Sequence, residues 1–185
     1  MKSPEDILSF WFDEAGPSAW YKKSDEFDAL IRSRFETIAI QLAGDLSRRA
    51  PHLWENNPAS ALALIIALDQ FPRNMYRSTN AAFAWDALAL GAAKRLVAKN
   101  HDLKITQGQR EFIYMPYMHS ENLADQDSCI ALVDQRLKNE NTLHHAREHR
   151  KVIAKFGRFP HRNLSLGRVS TTAEMAYLNS GGYAP

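Results

Sequence analysis

Apolar residues recur every three or four positions along most of this chain, and the alternating pattern of a β-strand is nearly absent. Residues 25–42 show the helical spacing clearly, since their apolar side chains form one stripe: Phe27, Ile31, Phe35, Ile38 and Leu42. This pattern predicts a helix over residues 25–42, with Gly44 after it as the stop.

The most apolar stretch is ASALALIIAL at residues 59–68, and it is hydrophobic on every side. Such a stretch predicts a helix at the centre of the fold. Pro72 should end this helix, because proline lacks a backbone N–H and disfavours the helical conformation of the residue before it. Near the start of the chain, Ser3 suits a helix cap and Pro4 suits the first helical position.

Three more helices are indicated in the middle of the chain. Thr79 or Asn80 begins a fourth helix, which is rich in alanine. Thr106 begins a fifth, in which Pro116 should produce a kink or an end. The apolar spacing predicts a sixth helix over residues 123–138.

The last two helices have clear boundary signals. The seventh spans residues 142–156 and is followed by Gly157, a residue typical of the position after a helix. The letters TTAE at residues 171–174 form a capping box that begins the eighth. About eight helices in antiparallel pairs, with short connections and no Gly/Ser linker, predict a single all-α domain over residues 1–185.

The charge of the chain is unevenly distributed. Residues 144–168 contain seven Lys or Arg, four His and a single acid, so this segment carries +6 with its histidines neutral, whereas the whole chain carries +2. The other residues are therefore net negative. Local basicity of this kind favours a local anionic partner and disfavours nucleic-acid binding over a whole surface.

Composition adds an expectation about the compartment. The lone cysteine, Cys129, is typical of a protein in the reducing cytosol, and the start MKSPEDILSFWF lacks the pattern of a secretory signal. The longest apolar run is about half of what spans a bilayer. We therefore expect a cytoplasmic protein with no membrane partner. No cofactor motif is visible, so no cofactor is predicted.

Two histidines of the seventh helix share its apolar stripe. His145 and His149 align with Val152, Ile153 and Phe156, so both should point inward. Three interpretations stay open: a buried histidine bonded to a carbonyl or carboxylate, a ligand contact, or a metal site at the i, i+4 spacing. Because no third ligand lies nearby in the sequence, no metal is predicted.

The segment GRFPHRN echoes the earlier DQFPRN, and arginines lie in or beside both. A desolvated guanidinium group cannot neutralise itself, so it needs a carboxylate, a phosphate or water. Asp69 lies in the last turn of the predicted central helix. We therefore expect an ion pair with Arg73, Arg77 or Arg162, which would hold the two Phe-Pro segments together. One aspartate cannot balance the five arginines, which are Arg73, Arg77, Arg158, Arg162 and Arg168. Glu121 and Glu174 could pair with some of them, but the remaining surplus predicts an anion-binding pocket.

The segment YMPYMHSEN follows the proline-disrupted fifth helix, and its polar groups suit either structural capping or a functional bend. The predicted ligand-binding residues, taken from all these segments, are Asp69, Arg73, Asn74, Arg77, His119, Glu121, Arg150, Arg158, Arg162, Asn163 and Arg168.

Three functions follow as hypotheses. The leading one is a cationic pocket, lined by His and Arg, for a small carboxylate- or phosphate-bearing molecule. The second makes the pocket catalytic, with His149 or His161 as general acid or base near neutral pH and Asp69 orienting a partner. The third is a helical scaffold that binds an acidic peptide.

Five long motifs resemble the domain of unknown function 924 family of bacterial proteins. They are ILSFWF, LALIIALDQFPRNMYR, AFAWDALAL, FIYMPYMHSENL and HRKVIAKFGRFPHRNLSLGRVST, in this order and over nearly the whole chain. The resemblance implies a tetratricopeptide-like arrangement of helices. It brings no catalytic residues with it, so function has to be argued from the site.

Overall fold

The computed structural model describes residues 2–184, and every regular element in that range is helical. The all-α class is therefore confirmed. The α-helices in this range are α1 Pro4–Leu8, α2 Pro17–Trp20, α3 Asp25–Arg48, α4 Pro58–Met75, α5 Asp86–Ala98, α6 Gln107–Met118, α7 Leu123–Leu132, α8 Glu140–Phe156 and α9 Thr172–Asn179. The short α2 is the one that the sequence patterns did not predict. The tetratricopeptide-like arrangement stays a prediction.

Short helical segments of other types connect these helices. Two are π-helical and directly continue α1 and α7, at Ser9–Ala15 and Val133–Leu137. Four are 3-10 turns, at Leu53–Asn56, Asn80–Phe83, His101–Lys104 and Pro160–Arg162. The fourth predicted helix is thus a 3-10 turn followed by α5.

Helix α4 occupies the centre of the hydrophobic core, as its apolar run predicts. Residues 61–72 are all buried, and α4 packs against α1, α3, α5 and α6. Each fully buried Leu, Ile or Phe side chain contributes about 1.5–3 kcal/mol relative to an exposed one. The consequence for function is that polar residues at the end of α4 are held in a rigid position.

Two predicted helix ends are wrong. Helix α4 continues past Pro72 to Met75, and α3 continues past Gly44 to Arg48. Helix α6 contains Pro116 and ends two residues after it, at Met118. A proline inside a helix removes one hydrogen bond, and a glycine costs about 1 kcal/mol relative to alanine. Burial of the apolar residues that follow outweighs both penalties, which local signals alone do not reveal.

The helix boundaries near the basic segment agree with the sequence. Gly157 follows α8 with φ 68°, the left-handed conformation that favours glycine. Thr171 and Glu174 form the predicted capping box of α9. Beside the main core lies a second, smaller apolar cluster of Val152, Ile153 and Phe159. The aromatic ring of Phe159 thereby fixes the turn that follows α8.

Hydropathy adds one finding. Among the described residues, no helix combines the length and the apolar character that crossing a bilayer requires.

Candidate functional site

The two Phe-Pro segments come together at Asp86, the first residue of α5. Arg73 donates two hydrogen bonds to this carboxylate, at 3.0 and 3.1 Å. Arg162 places Nη1 at 3.4 Å from Oδ2 of the same carboxylate. The start of a helix favours an anion, so Asp86 is well placed to receive both arginines.

Asp69 lies beneath this contact and is fully buried. His119 Nδ1 is 2.8 Å from Asp69 Oδ1, and Arg73 Nη1 is 3.6 Å from the same oxygen. Gln70 donates to the other oxygen. Burial would raise the pKa of Asp69, but the nearby Arg73 and His119 outweigh it and lower the pKa to about 2. The carboxylate is therefore ionised, and His119 is its hydrogen-bond donor.

Arg162 is the cation with the weakest pairing in this cluster. It is 6% exposed, and its guanidinium lies between the rings of Phe83 and Phe159, at 4.7 and 4.4 Å from their centroids. Besides the contact with Asp86, it donates to the His119 carbonyl at 3.1 Å. Burial and the charge of Arg73 lower the pKa of Arg162 to about 10. Its cation is thus poorly compensated by the protein.

Three histidines lie near Arg162 and the Phe159 ring on which it stacks. The ring centroid of Phe159 is 5.6 Å from those of both His149 and His161, and the centroids of His119 and His149 are 6.4 Å apart. Burial is the main cause that lowers the pKa of His149 to about 3, and burial with the charge of Arg162 lowers that of His161 to about 4. Burial, followed by the charge of Arg73, also lowers the pKa of His119.

These pKa values bear on the predicted catalytic role of His149 and His161, which stays a prediction. His149 and His161 were predicted to act as acid or base near neutral pH, where a histidine with an ordinary pKa of about 6.5 titrates. Both are neutral at pH 7 because the charged form is desolvated. His145, predicted to point inward beside His149, is only partly buried and has its Nδ1 2.8 Å from the Tyr183 hydroxyl.

The predicted surplus of arginine over carboxylate is wrong. Each of the five arginines has a carboxylate partner, and two of those acids, Asp28 and Asp86, were not among the predicted partners. The remaining arginine pairs are Arg158 with Glu174 and Arg168 with Glu121. An open cation site therefore depends on how completely each arginine is paired and not on a simple excess of charge.

The ion pair of Glu121 with Arg168 holds the second Phe-Pro segment, GRFPHRN at residues 157–163, in place. Arg168 donates to both oxygens of Glu121, at 2.7 and 3.0 Å, and the Phe159 N–H donates to the same carboxylate at 2.8 Å. Asn163 is buried and donates to the Ser170 hydroxyl at 3.0 Å. These three predicted residues hold the turn that carries His161 and Arg162.

Four predicted residues lie elsewhere. Arg77 and Asn74 both donate to Asp28, and they line a surface cleft of about 390 Å³ next to α3. Arg150 pairs with Asp127 on the exposed surface. Arg158 faces α9 through Glu174. A second cleft of about 400 Å³, lined by Lys2, Asp6 and Arg34, also lies away from Arg162.

Buried polar atoms without a hydrogen-bond partner are concentrated in the second Phe-Pro segment and the residues that follow it. Seven such side-chain atoms occur within residues 2–184, and four of them lie in residues 161–168: His161 Nδ1, Arg162 Nε, Asn163 Oδ1 and Arg168 Nε. More than about 90% of buried polar groups are normally satisfied. The hydrogen-bonding capacity of residues 161–168 is therefore not fully used by the residues of the described range.

Within residues 2–184, no group of three or more His, Cys, Asp or Glu side chains is arranged so that it could hold a metal ion.

Comparison with known proteins gives a family. The family described as "Bacterial protein of unknown function (DUF924)" matches residues 7–182. The chain belongs to this family. It is also similar to a solved structure, that of the protein of unknown function ATU0120 from Agrobacterium tumefaciens. The two sequences are 38% identical, the match covers 96% of this chain and 97% of the other, and the structures superimpose with a TM-score of 0.87. No curated protein matches the chain at a significant level.

Two residues of the site in this family member were missed from the sequence. Asp86 lies in the quoted motif AFAWDALAL, but the predicted fourth helix begins at Thr79 or Asn80, so the sequence did not place Asp86 at a helix start. Phe83, three residues earlier, carries no signal either, because only the folded chain brings it against Arg162.

Proposed function

We propose that this protein binds a small carboxylate- or phosphate-bearing ligand at Arg162. The observation that carries this proposal is the state of that side chain. Its guanidinium is buried, shares a carboxylate that Arg73 already engages with two hydrogen bonds, and keeps Nε without a partner among residues 2–184. A carboxylate or phosphate oxygen is the acceptor that matches such a donor.

The surroundings of Arg162 support the same conclusion. Phe83 and Phe159 fix the guanidinium plane, so little side-chain entropy is lost when an anion binds. The buried Nδ1 of His161 is a further polar atom without a partner next to it. A partly desolvated cation attracts an anion more strongly than an exposed one because the local dielectric is low.

A thermal-shift experiment tests the proposal with acetate and inorganic phosphate, at constant ionic strength set with chloride. A ligand present at 100 times its Kd stabilises the folded state by about 2.7 kcal/mol, which raises the Tm by several degrees. We expect such a rise for wild type and its loss in Arg162→Met. Arg77→Met is the matched control, because Arg77 is paired with Asp28 at a different location.

Two results would contradict the proposal: no anion raises the Tm of wild type, or Arg162→Met keeps the full rise. A rise caused by an acidic peptide, but by neither small anion, would favour the scaffold hypothesis instead.

A second candidate function is acid–base chemistry on the bound anion, and one contact favours it. Asp69 holds His119 through Nδ1 at 2.8 Å, which is the way a carboxylate orients a histidine general base. His119 Nε2 would accept a proton while Arg162 stabilises negative charge on the substrate. Hydrolysis of p-nitrophenyl phosphate that His119→Gln abolishes would support this role. Hydrolysis that persists in this variant would refute it.

A further inference from the structure

The hydrogen bonds of His149 determine which of its ring nitrogens carries the proton. His149 Nδ1 lies 2.8 Å from the backbone carbonyl of His145, and a carbonyl oxygen can only accept. The proton of the neutral ring is therefore on Nδ1. Nε2 of His149 then carries a lone pair and is a hydrogen-bond acceptor.

His119 has the same tautomer for a different reason. Its Nδ1 contacts the ionised carboxylate of Asp69, which also only accepts. The neutral ring of His119 therefore presents an acceptor at Nε2 as well. Within residues 2–184, neither Nε2 atom has a hydrogen-bond partner.

Both imidazoles are neighbours of Arg162. The guanidinium bonds to the His119 carbonyl at 3.1 Å, and it stacks on the same Phe159 ring that His149 contacts edge-on. The charge of Arg162 is close enough to lower the pKa of His149. The region thus combines one cationic donor with two neutral acceptors, a set that a simple anion does not satisfy.

We propose that the ligand at Arg162 is an anion that also carries an O–H donor, such as a protonated phosphate or a hydroxy-carboxylate. This inference rests on the proposed function and specifies the class of ligand. The anionic oxygens face Arg162, and the O–H donates to Nε2 of His119 or His149. An anion without a proton directs oxygen lone pairs at nitrogen lone pairs, so binding leaves both Nε2 acceptors without a donor.

Inorganic phosphate and sulfate form a matched pair for testing this. They have the same tetrahedral shape, but phosphate keeps an O–H at pH 7 and sulfate has none. We expect isothermal titration calorimetry to show at least about tenfold tighter binding of phosphate, the difference that one satisfied hydrogen bond makes. Glycolate against acetate is the corresponding carboxylate pair, and it shows whether phosphate or a hydroxy-carboxylate is the better source of this chemistry.

Two variants test which side chains distinguish phosphate from sulfate. His149→Phe keeps an aromatic ring but removes one acceptor, so it should reduce the preference for phosphate over sulfate about tenfold. Arg162→Met should abolish binding of both anions. His144→Gln is the control, because His144 is exposed on the same helix and should leave both affinities unchanged.

The outcomes separate this inference from the proposed function. Equal affinities for phosphate and sulfate, both lost in Arg162→Met, would overturn the inference and leave the proposed function standing. Failure of all four anions to bind, or binding unaffected by Arg162→Met, would overturn both. The wild-type comparison needs no variant, so it decides the matter even if a substituted chain does not fold.

Discussion

The two Phe-Pro segments share letters but differ in structure. In DQFPRN, Pro72 lies inside α4, and the helix continues for three more residues. In GRFPHRN, Gly157 has already ended α8, and Pro160 begins a 3-10 turn. Pro72 lies within a long buried helix that tolerates one lost hydrogen bond, whereas Pro160 follows the chain reversal at Gly157. Context, and not the dipeptide, decides the conformation.

The arginines of the two segments differ in the same way. Arg73 makes two hydrogen bonds to Asp86 and a further contact with Asp69. Arg162 has one long contact with Asp86 and a carbonyl partner. We infer from this comparison that a candidate binding arginine in a crowded ionic cluster is marked by incomplete hydrogen bonding. The number of nearby charges does not identify it.

The largest expected effect comes from removing the acid that both arginines share. Asp86→Asn leaves two partly or fully buried guanidinium groups short of a counter-charge, and we expect a loss of about 4 kcal/mol in the free energy of unfolding. Urea denaturation measures it. The exposed Asp134→Asn is the control and should change stability by less than about 0.5 kcal/mol. A loss below about 1 kcal/mol for Asp86→Asn would show that Asp86 does not hold the two Phe-Pro segments together.

The second largest effect is the difference in stability loss between substitutions at Arg73 and at Arg162. Arg73→Met deprives both Asp69 and Asp86 of their main guanidinium partner and should cost about 3 kcal/mol. Arg162→Met leaves Asp86 paired with Arg73 and should cost less than about 1 kcal/mol. Chemical denaturation of the two variants under identical conditions gives the comparison, and equal losses would contradict the distinction between a paired and an open arginine.

A smaller effect concerns acid stability. An unfolded histidine titrates near pH 6.5, whereas the pKa of folded His149 is about 3 and that of His161 about 4. As the pH falls below 6.5, the unfolded chain takes up protons that the folded chain excludes, so stability falls. The double variant His149→Gln, His161→Gln should lose about 1.5 kcal/mol less per histidine between pH 6.5 and 5.

Unfolding of both proteins at several pH values measures this difference. The exposed His144→Gln should retain the full wild-type slope. Parallel slopes for wild type and the double variant would mean that the two buried histidines titrate normally in the folded chain.

Much of the helical structure was predictable from local signals, but the pairing of the site was not. The caps at Ser3 and Thr171 and the stop at Gly157 act within a few residues, so the sequence reveals them directly. By contrast, Asp86 is 76 residues from Arg162, and Asp28 is 49 residues from Arg77.

Tertiary packing chooses these partners, and that is why the count of charges along the chain overestimated the free cations. The same reason explains His119. Its contact with Asp69 spans 50 residues, so the sequence could offer it as a site residue but could not show which carboxylate holds it. The shift of the histidine pKa values also depends on burial in the folded chain, which a sequence motif does not report.

Two double-mutant cycles test the central claim directly, one for Arg73 with Asp86 and one for Arg162 with Asp86, using Met and Asn substitutions. The coupling energy isolates each pairwise interaction from the other effects of each substitution. We predict about 2–3 kcal/mol for Arg73 with Asp86 and less than about 1 kcal/mol for Arg162 with Asp86. A coupling for Arg162 that equals or exceeds that of Arg73 would show that Arg162 is already satisfied by the protein and is not free to bind an anion.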